Sequence, residues 1–247
     1  MDLGLRGRTA LVTGAAGGIG RAVARALAAE GMRVALLDRD REGLHDTARV
    51  CGGVVVPADV TDEEQVSAAV QEAGRVLGGL HAVVCCAGIS GPVGTGIEQT
   101  SRTQWDAVFA VNVTGAFLVL KHAIPLLRAA PEAVAVLIAS DSAVVASPGM
   151  APYCASKAAL VQLGRALSVD LAGDGIRVAT VSPSVVDTPM SRDDLGVDGF
   201  DGAAFPVQTA DEVASHVAYL VSTRARAVNG SGILSDFGFS ARSGFPA

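Results

Sequence analysis

The chain has 247 residues, half of them hydrophobic and only 4% aromatic, with a formal net charge of −6 at pH 7. That length suits one large domain, predicted over 1–247, whose core must be built from small and branched aliphatic side chains. The acidic balance and the lack of any Lys/Arg block exclude a phosphate-tracking stripe, no apolar stretch behind a basic region opens the chain, and the apolar run 133–139 is too short to span a bilayer; a cytoplasmic protein with no nucleic-acid and no membrane partner is expected.

Short apolar runs alternate with longer periodic segments, the pattern of βα units feeding a parallel sheet. The predicted fold class is α/β: a single doubly wound Rossmann-type domain with a seven-stranded, mainly parallel sheet and helices on both faces. Strands are predicted at 9–13, 33–38, 54–57, 82–86, 133–140, 176–182 and 233–236. Helices are predicted at 20–30, at 63–77 behind Thr61 as the cap, at 103–127, at 153–171, and at 211–221 behind Thr209. The polar, acidic, glycine-containing stretch 189–206 is read as a mobile lid over a substrate.

The first strand runs into Thr13-Gly14-Ala15-Ala16-Gly17-Gly18-Ile19-Gly20 and then into a helix. Glycines at such a junction allow a tight turn and let backbone amides approach a pyrophosphate at the positive end of the helix, a dinucleotide signal because strand, turn, helix and second strand follow in order. Asp38 closes the second strand, where a carboxylate accepts hydrogen bonds from ribose hydroxyls and repels a 2′-phosphate, so NAD is preferred over NADP. Arg39 follows at once and is the residue that would instead pair with a phosphate, while Asp38 can also serve as a turn cap.

Cys85 and Cys86 are adjacent in an apolar run, where successive side chains face opposite sides of a sheet, while Cys51 and Cys154 stand alone. With no C-x-x-C and no metal-like spacing among the histidines, reduced thiols and no metal are expected.

Tyr153-Cys154-Ala155-Ser156-Lys157 opens a predicted helix, and the spacing of four sets the ammonium beside the phenol. A tyrosine ionises near pH ~10, and a neighbouring cation favours the phenolate, which then exchanges a proton with a substrate oxygen. Ser140 ends a strand 13 residues earlier and is positioned to hold that oxygen, with Ser142 as its local rival.

Gly14-x-x-x-Gly18-x-Gly20, Asp59-Val60, Ala87-Gly88, Asn112, Ser140 and Tyr153-x-x-x-Lys157 together resemble the short-chain dehydrogenase/reductase family over nearly the whole chain. The resemblance implies hydride transfer between NAD(H) and a small-molecule secondary alcohol or ketone. It implies catalytic Asn112, Ser140, Tyr153 and Lys157, with Asn112 in a proton relay. It also implies a cofactor site of Gly14, Gly17, Gly18, Ile19, Gly20, Asp38, Asp59, Val60, Ala87 and Gly88, together with Tyr153, Lys157, Pro183, Val186 and Thr188. Pro183 to Pro189 would lie against the nicotinamide, with Thr188 on its carboxamide, and the helices at 103–127 and 153–171 would join copies into a homodimer or homotetramer.

The chain departs from the family at Ser184, where glycine is usual, and at Cys85 and Cys86, where asparagines are usual. Within the family, Ala139-Ser140-Asp141-Ser142 and Gly149-Met150 look most like dehydrogenases that aromatise dihydrodihydroxybenzoate, but Ser147 and Pro148 stand where those relatives carry an arginine for the substrate carboxylate. A compact or cyclic secondary alcohol is the expected substrate, walled by Val144, Val145, Met150 and Met190. The alternatives are an NADPH-dependent ketoreductase for β-ketoacyl or polyketide carbonyls and a dinucleotide-binding regulator without turnover.

Overall fold

A computed structural model describes residues 2–242; residues 1 and 243–247 lie outside the described residues. Its centre is a seven-stranded sheet in the order β3-β2-β1-β4-β5-β6-β9, with every adjacent pair parallel. The strands are β1 (Thr9–Thr13), β2 (Arg33–Leu37), β3 (Val54–Val55), β4 (Ala82–Cys85), β5 (Val134–Ile138), β6 (Arg177–Pro183) and β9 (Gly232–Ser235). All seven predicted strands are present, and the predicted register of Cys85 and Cys86 holds: Cys85 packs in the core on one face of the sheet and Cys86 against the core on the other. Two further two-residue strands, β7 (Val186–Asp187) and β8 (Gln208–Thr209), form a separate parallel pair.

The helices cover both faces. On one side, α1 (Gly18–Ala29) packs against α8 (Ala210–Val221) over Ala10, Val12, Val34, Leu36 and Val136. On the other, α3 (Glu63–Leu77) and α5 (Ala116–Arg128) bury Val66, Val70, Val119, Ala123 and Leu127 against Leu11, Val83 and Leu137, and α6 (Ala151–Asp170) completes the layer. Burying some 25 cal/mol per Å² of apolar surface on each side holds the layers in place.

Four differences from the sequence reading have local causes. The cap of α3 is Asp62, whose carboxylate accepts from the Gln65 amide, while the neighbouring Thr61 is turned back onto Asp59. The helix predicted at 103–127 is α4 (Arg102–Phe109), a π-helical turn at Ala110–Gly115 and α5; the turn lets Asn112 face inward and brings Gly115 against Val60. A helix without a sequence prediction, α2 (Arg41–Cys51), starts at Asp40, which caps Gly43, and ends at Gly52 in the left-handed conformation. The segment read as a lid begins as a helix, α7 (Pro189–Leu195), capped by Thr188 with Pro189 in its first turn. The combined run Arg102–Arg128 is long and apolar enough to cross a membrane, yet Val108, Leu118, Val119, Ala123 and Leu127 are buried in the protein.

Where α6 crosses the sheet, a methyl on Gly164 would lie 3.2 Å from Thr180 Cγ2 and 3.3 Å from Leu137 Cδ1, so the helix rides close enough that a larger side chain must displace both. Gly164→Val is expected to lower stability by about 1–3 kcal/mol in urea denaturation. Gly173→Ala, with nothing within 4 Å of the added carbon, leaves the midpoint unchanged.

Candidate active site

The chain runs outward from β1 through β2 to β3, then crosses to the other side of β1 for β4, β5 and β6. Connections at such a reversal leave in opposite directions and open a crevice beyond the carboxyl ends of the strands. The cleft here, with a volume of about 330 Å³, is lined by Gly14, Gly17, Gly18, Ile19, Gly20, Asp38, Asp59, Val60, Ala87, Gly88 and Thr188. Most of the cofactor residues implied by the sequence resemblance therefore share one cavity.

Its wall is fixed by a seam between β1 and β4. The buried Thr13 hydroxyl oxygen accepts from the amides of Cys86 and Ala87, both at 3.1 Å. Gly14 sits at φ +65°, where a Cβ would come within 2.9 Å of the Ala87 nitrogen. Behind it, a methyl on Gly20 would collide with the Gly14 carbonyl. Gly17, the residue ahead of α1, differs: a methyl there would meet nothing within 4 Å, so its smallness is not required by the protein's own packing. The α1 N-terminus has no side-chain cap and no acidic residue in its first turn, leaving its amides and positive dipole end turned to the cleft. An anion fits there, and a dinucleotide pyrophosphate is such an anion.

The turn is also fastened to β2. Ala15 N donates to Leu37 O at 3.2 Å and Ala16 N to Asp38 Oδ2 at 3.2 Å, while Asp38 Oδ1 accepts from Asp40 N at 3.1 Å. Asp38 thus serves as a turn anchor, and each oxygen keeps acceptor capacity toward the cleft. Arg39 reaches 4.0 Å from Asp59 and is largely exposed. Hydrogen bonds from Thr61 hold the Asp59 carboxyl below its ordinary range.

Tyr153 and Lys157 project from the first turns of α6. Lys157 is 4% exposed, its Nζ donates to Ile138 O at 2.9 Å, and it stands 5.5 Å from the centre of the Tyr153 ring. Burial lowers its pKa to about 8. Burial also raises the Tyr153 phenol to about 12; the Ser140 hydroxyl opposes the rise, whereas Asp141, Asp194 and Cys154 add to it. The sequence reading assigns activation to Lys157 together with a nicotinamide cation; among the chain's own groups desolvation is the largest influence and holds the phenol above its ordinary range.

Ser140 follows β5 at the same end of the sheet and is buried, whereas Ser142 presents only its backbone amide, donated to Ser140 Oγ at 3.1 Å. Asn112 is 1% exposed; its Oδ1 accepts from Ile89 N at 2.8 Å, and its Nδ2 donates to Ile89 O at 2.9 Å and Ser156 Oγ at 3.0 Å. Its amide is engaged in holding the loop after β4 against α6. Gly88 joins this cluster to the cleft, for a Cβ built on it would stand 3.3 Å from Asn112 Oδ1 and 3.4 Å from Lys157 Nζ.

Thr188 lines the cleft with its methyl facing Gly18, whereas Pro183, which ends β6, and Val186, buried in β7, are not among the lining residues. The Thr188 hydroxyl also closes the capping box of α7 with Ser191. Sequence reasoning missed Ile89, which acts through its backbone and leaves no signal, and missed Asp141 and Asp194, which charge the surroundings of the phenol. Of the residues expected to wall the substrate, Met190 lines the cleft beside the glycine turn, while Val144 is 63% exposed.

A family model described as Enoyl-(Acyl carrier protein) reductase matches residues 14–240. Among curated proteins, the chain is 37% identical to 2-(R)-hydroxypropyl-CoM dehydrogenase of Xanthobacter autotrophicus, covering 95% of this chain and 99% of that one. It is also 37% identical to the mitochondrial borneol dehydrogenase of Lavandula x intermedia, covering 96% and 92%. Among solved structures, 3-ketoacyl-(acyl-carrier-protein) reductase of Brucella melitensis, complexed with NADH, superposes with a TM-score of 0.89 at 31% identity over 96% of this chain and 99% of that one. With the cleft, the glycine turn and the Ser140, Tyr153 and Lys157 cluster in place, these likenesses make the chain a member of the short-chain dehydrogenase/reductase family, an oxidoreductase.

Proposed function

We propose that this enzyme oxidises a compact secondary alcohol, or reduces the matching ketone, with NAD(H) as its partner and Tyr153 as acid/base. The reading rests on one observation above the others: the phenol and the buried ammonium of Lys157 stand together beside Gly88, at the edge of a cleft shaped for a dinucleotide. Gly14, Gly17, Gly18, Ile19 and Gly20 hold the pyrophosphate, Asp38 the ribose, and Asp59, Val60, Ala87 and Gly88 the adjoining wall. Pro183, Val186 and Thr188 cover the nicotinamide side. When bound, NAD supplies the hydride acceptor and a positive ring close to the phenol.

In oxidation, Tyr153 Oη takes the proton of the substrate hydroxyl while the carbinol hydrogen departs as hydride. Lys157 stabilises the ionised phenol, Ser140 fixes the substrate oxygen, and Asn112 holds the loop and α6 in register. The 189–206 segment, pinned at its base by the β7–β8 pair, is the candidate substrate cover on a single catalytic domain. The names of relatives that are dehydrogenases of hydroxypropyl-CoM, borneol and D-threitol support alcohol chemistry; the ketoacyl reductase neighbour supports the reductive alternative. An apolar face of Val113, Phe117, Leu163 and Ala166 on the helices expected to join copies supports a homodimer or homotetramer, working in the cytoplasm.

Tyr153→Phe removes the exchangeable proton and little volume; kcat should fall by about 10²–10⁴-fold with NADH affinity retained, measured by turnover of cyclic diols and by fluorescence titration. An active variant would overturn the assignment. Replacing Asp38 with Ala while keeping Arg39 should cut kcat/KM for NAD about tenfold or more and raise it for NADP, since a hydrogen bond to a charged group is worth about 1.5–3 kcal/mol. Selectivity for NADP with hydroxyacyl thioesters in the unmodified enzyme would instead favour the ketoreductase reading.

Lys157 provides a pH test. Its folded pKa of about 8 lies below its ordinary 10.5, so in that window the unfolded chain binds more protons and stability from this group rises with pH. Below about pH 8 the cost of the buried ammonium is carried in full. Relative to Lys157→Met, the wild type should therefore gain stability between pH 8 and 10.5, by at most about 1.4 kcal/mol per unit in urea titrations. A flat difference would show that the ammonium is not desolvated.

A further inference from the structure

The hydroxyl of Ser140 has one proton and two lone pairs. Ser142 N donates to its oxygen at 3.1 Å, its own proton is directed to Asp141 Oδ1 at 3.0 Å, and the Tyr153 phenol draws on the same hydroxyl. A carboxylate is an acceptor only and is the strongest competitor for that proton in the immediate surroundings. We propose that Asp141 is a positioning residue for the reaction: it competes with the Tyr153 phenol for the Ser140 proton, so that Ser140 gives the ionised phenol less support than an unengaged serine would.

This rests on the reading of Tyr153 and Ser140 as the proton-transfer pair. The consequence is a definite sign. The substrate O–H gives its one proton to Tyr153 Oη, and a serine whose proton is shared with a carboxylate gives less help to the phenolate that must receive it. The negative charge of Asp141 acts in the same direction, raising the phenol pKa. The titratable groups facing the phenol are Asp141 from the turn after β5, Asp194 from α7, held by Ser90 Oγ at 2.7 Å, and Cys154 and Lys157 from α6. Of these, Asp141 alone is hydrogen-bonded to Ser140 among the described residues.

The test is the pH profile of Asp141→Asn. The amide keeps the size of the side chain, removes the charge and, as a neutral acceptor, holds the serine proton less strongly, and both changes favour the phenolate. With trans-cyclohexane-1,2-diol and NAD, the rising limb of kcat/KM for oxidation should move down by about one pH unit, while KM for NAD stays as it was. Asp141→Ala should move the same way. The chain has two tyrosines, Tyr153 and Tyr219, so phenolate absorption in the near ultraviolet, taken as a difference from a matching Tyr153→Phe protein, follows the same ionisation without any substrate. It should appear at lower pH in Asp141→Asn. Superimposable profiles and phenolate curves would overturn the role of Asp141. Turnover surviving in Tyr153→Phe would overturn the underlying reading instead, so the two failures are distinct.

Discussion

Thr13 and Gly14 set how closely β1 and β4 can end beside one another, and the functional geometry follows from that closeness. One hydroxyl oxygen takes two amides of the neighbouring strand, and the next residue has no side chain to hold the strands' continuations apart. Both loops can then leave the sheet with their backbones in contact before parting. The cleft opens where they part, with the α1 N-terminus on one wall and Ala87 and Gly88 on the other. Without this seam there would be strand ends and helix starts, but no shared space between them.

The same end of the sheet accommodates charge that burial disfavours. The Lys157 ammonium is almost wholly enclosed, with the Ile138 carbonyl as its hydrogen-bond partner, and the phenol beside it is driven toward its neutral form. Each group alone would rather be uncharged; in the zwitterionic state each lowers the cost of the other. A cationic ring nearby tips that balance further toward phenolate. The site is thus poised to hold or release a proton according to the charge around it, which links proton transfer to the oxidation state of a bound nicotinamide.

Much of this was legible in the residue order because the relevant signals are local. Every strand of the large sheet showed as an apolar run, and the glycine turn showed because backbone conformation and close approach restrict the residue types allowed. Tyr153 and Lys157 were visible through helical spacing. What escaped depends on contacts between distant segments. Ile89 meets Asn112 through its backbone, so any side chain would read alike, and Asp194 nears the phenol only because α7 folds over the site. The α2 and α7 helices were missed for a different reason: their caps, Asp40 and Thr188, were present, but short polar segments between strands read equally well as loops. The π-helical turn at Asn112 left no periodic trace, since one extra residue in a helix barely shifts its apolar stripe.

The departures at Cys85 and Cys86 show how little of the seam depends on side chains that point away from it. Cys85 is a core residue whose thiol burial pushes up to about 12, so it packs as a small neutral group. Cys86 presents its amide to Thr13 and its side chain to the opposite core, and an amide is available from any residue but proline. The strand can therefore lose both asparagines and keep the approach to Gly14. Ser184 is tolerated on similar grounds, because the backbone amide there donates to Ser235 O at 3.0 Å whatever the side chain. By contrast, Ser140 and Asp141 meet each other through their side chains. On the proposed mechanism, variation there would alter proton transfer without touching the seam between β1 and β4.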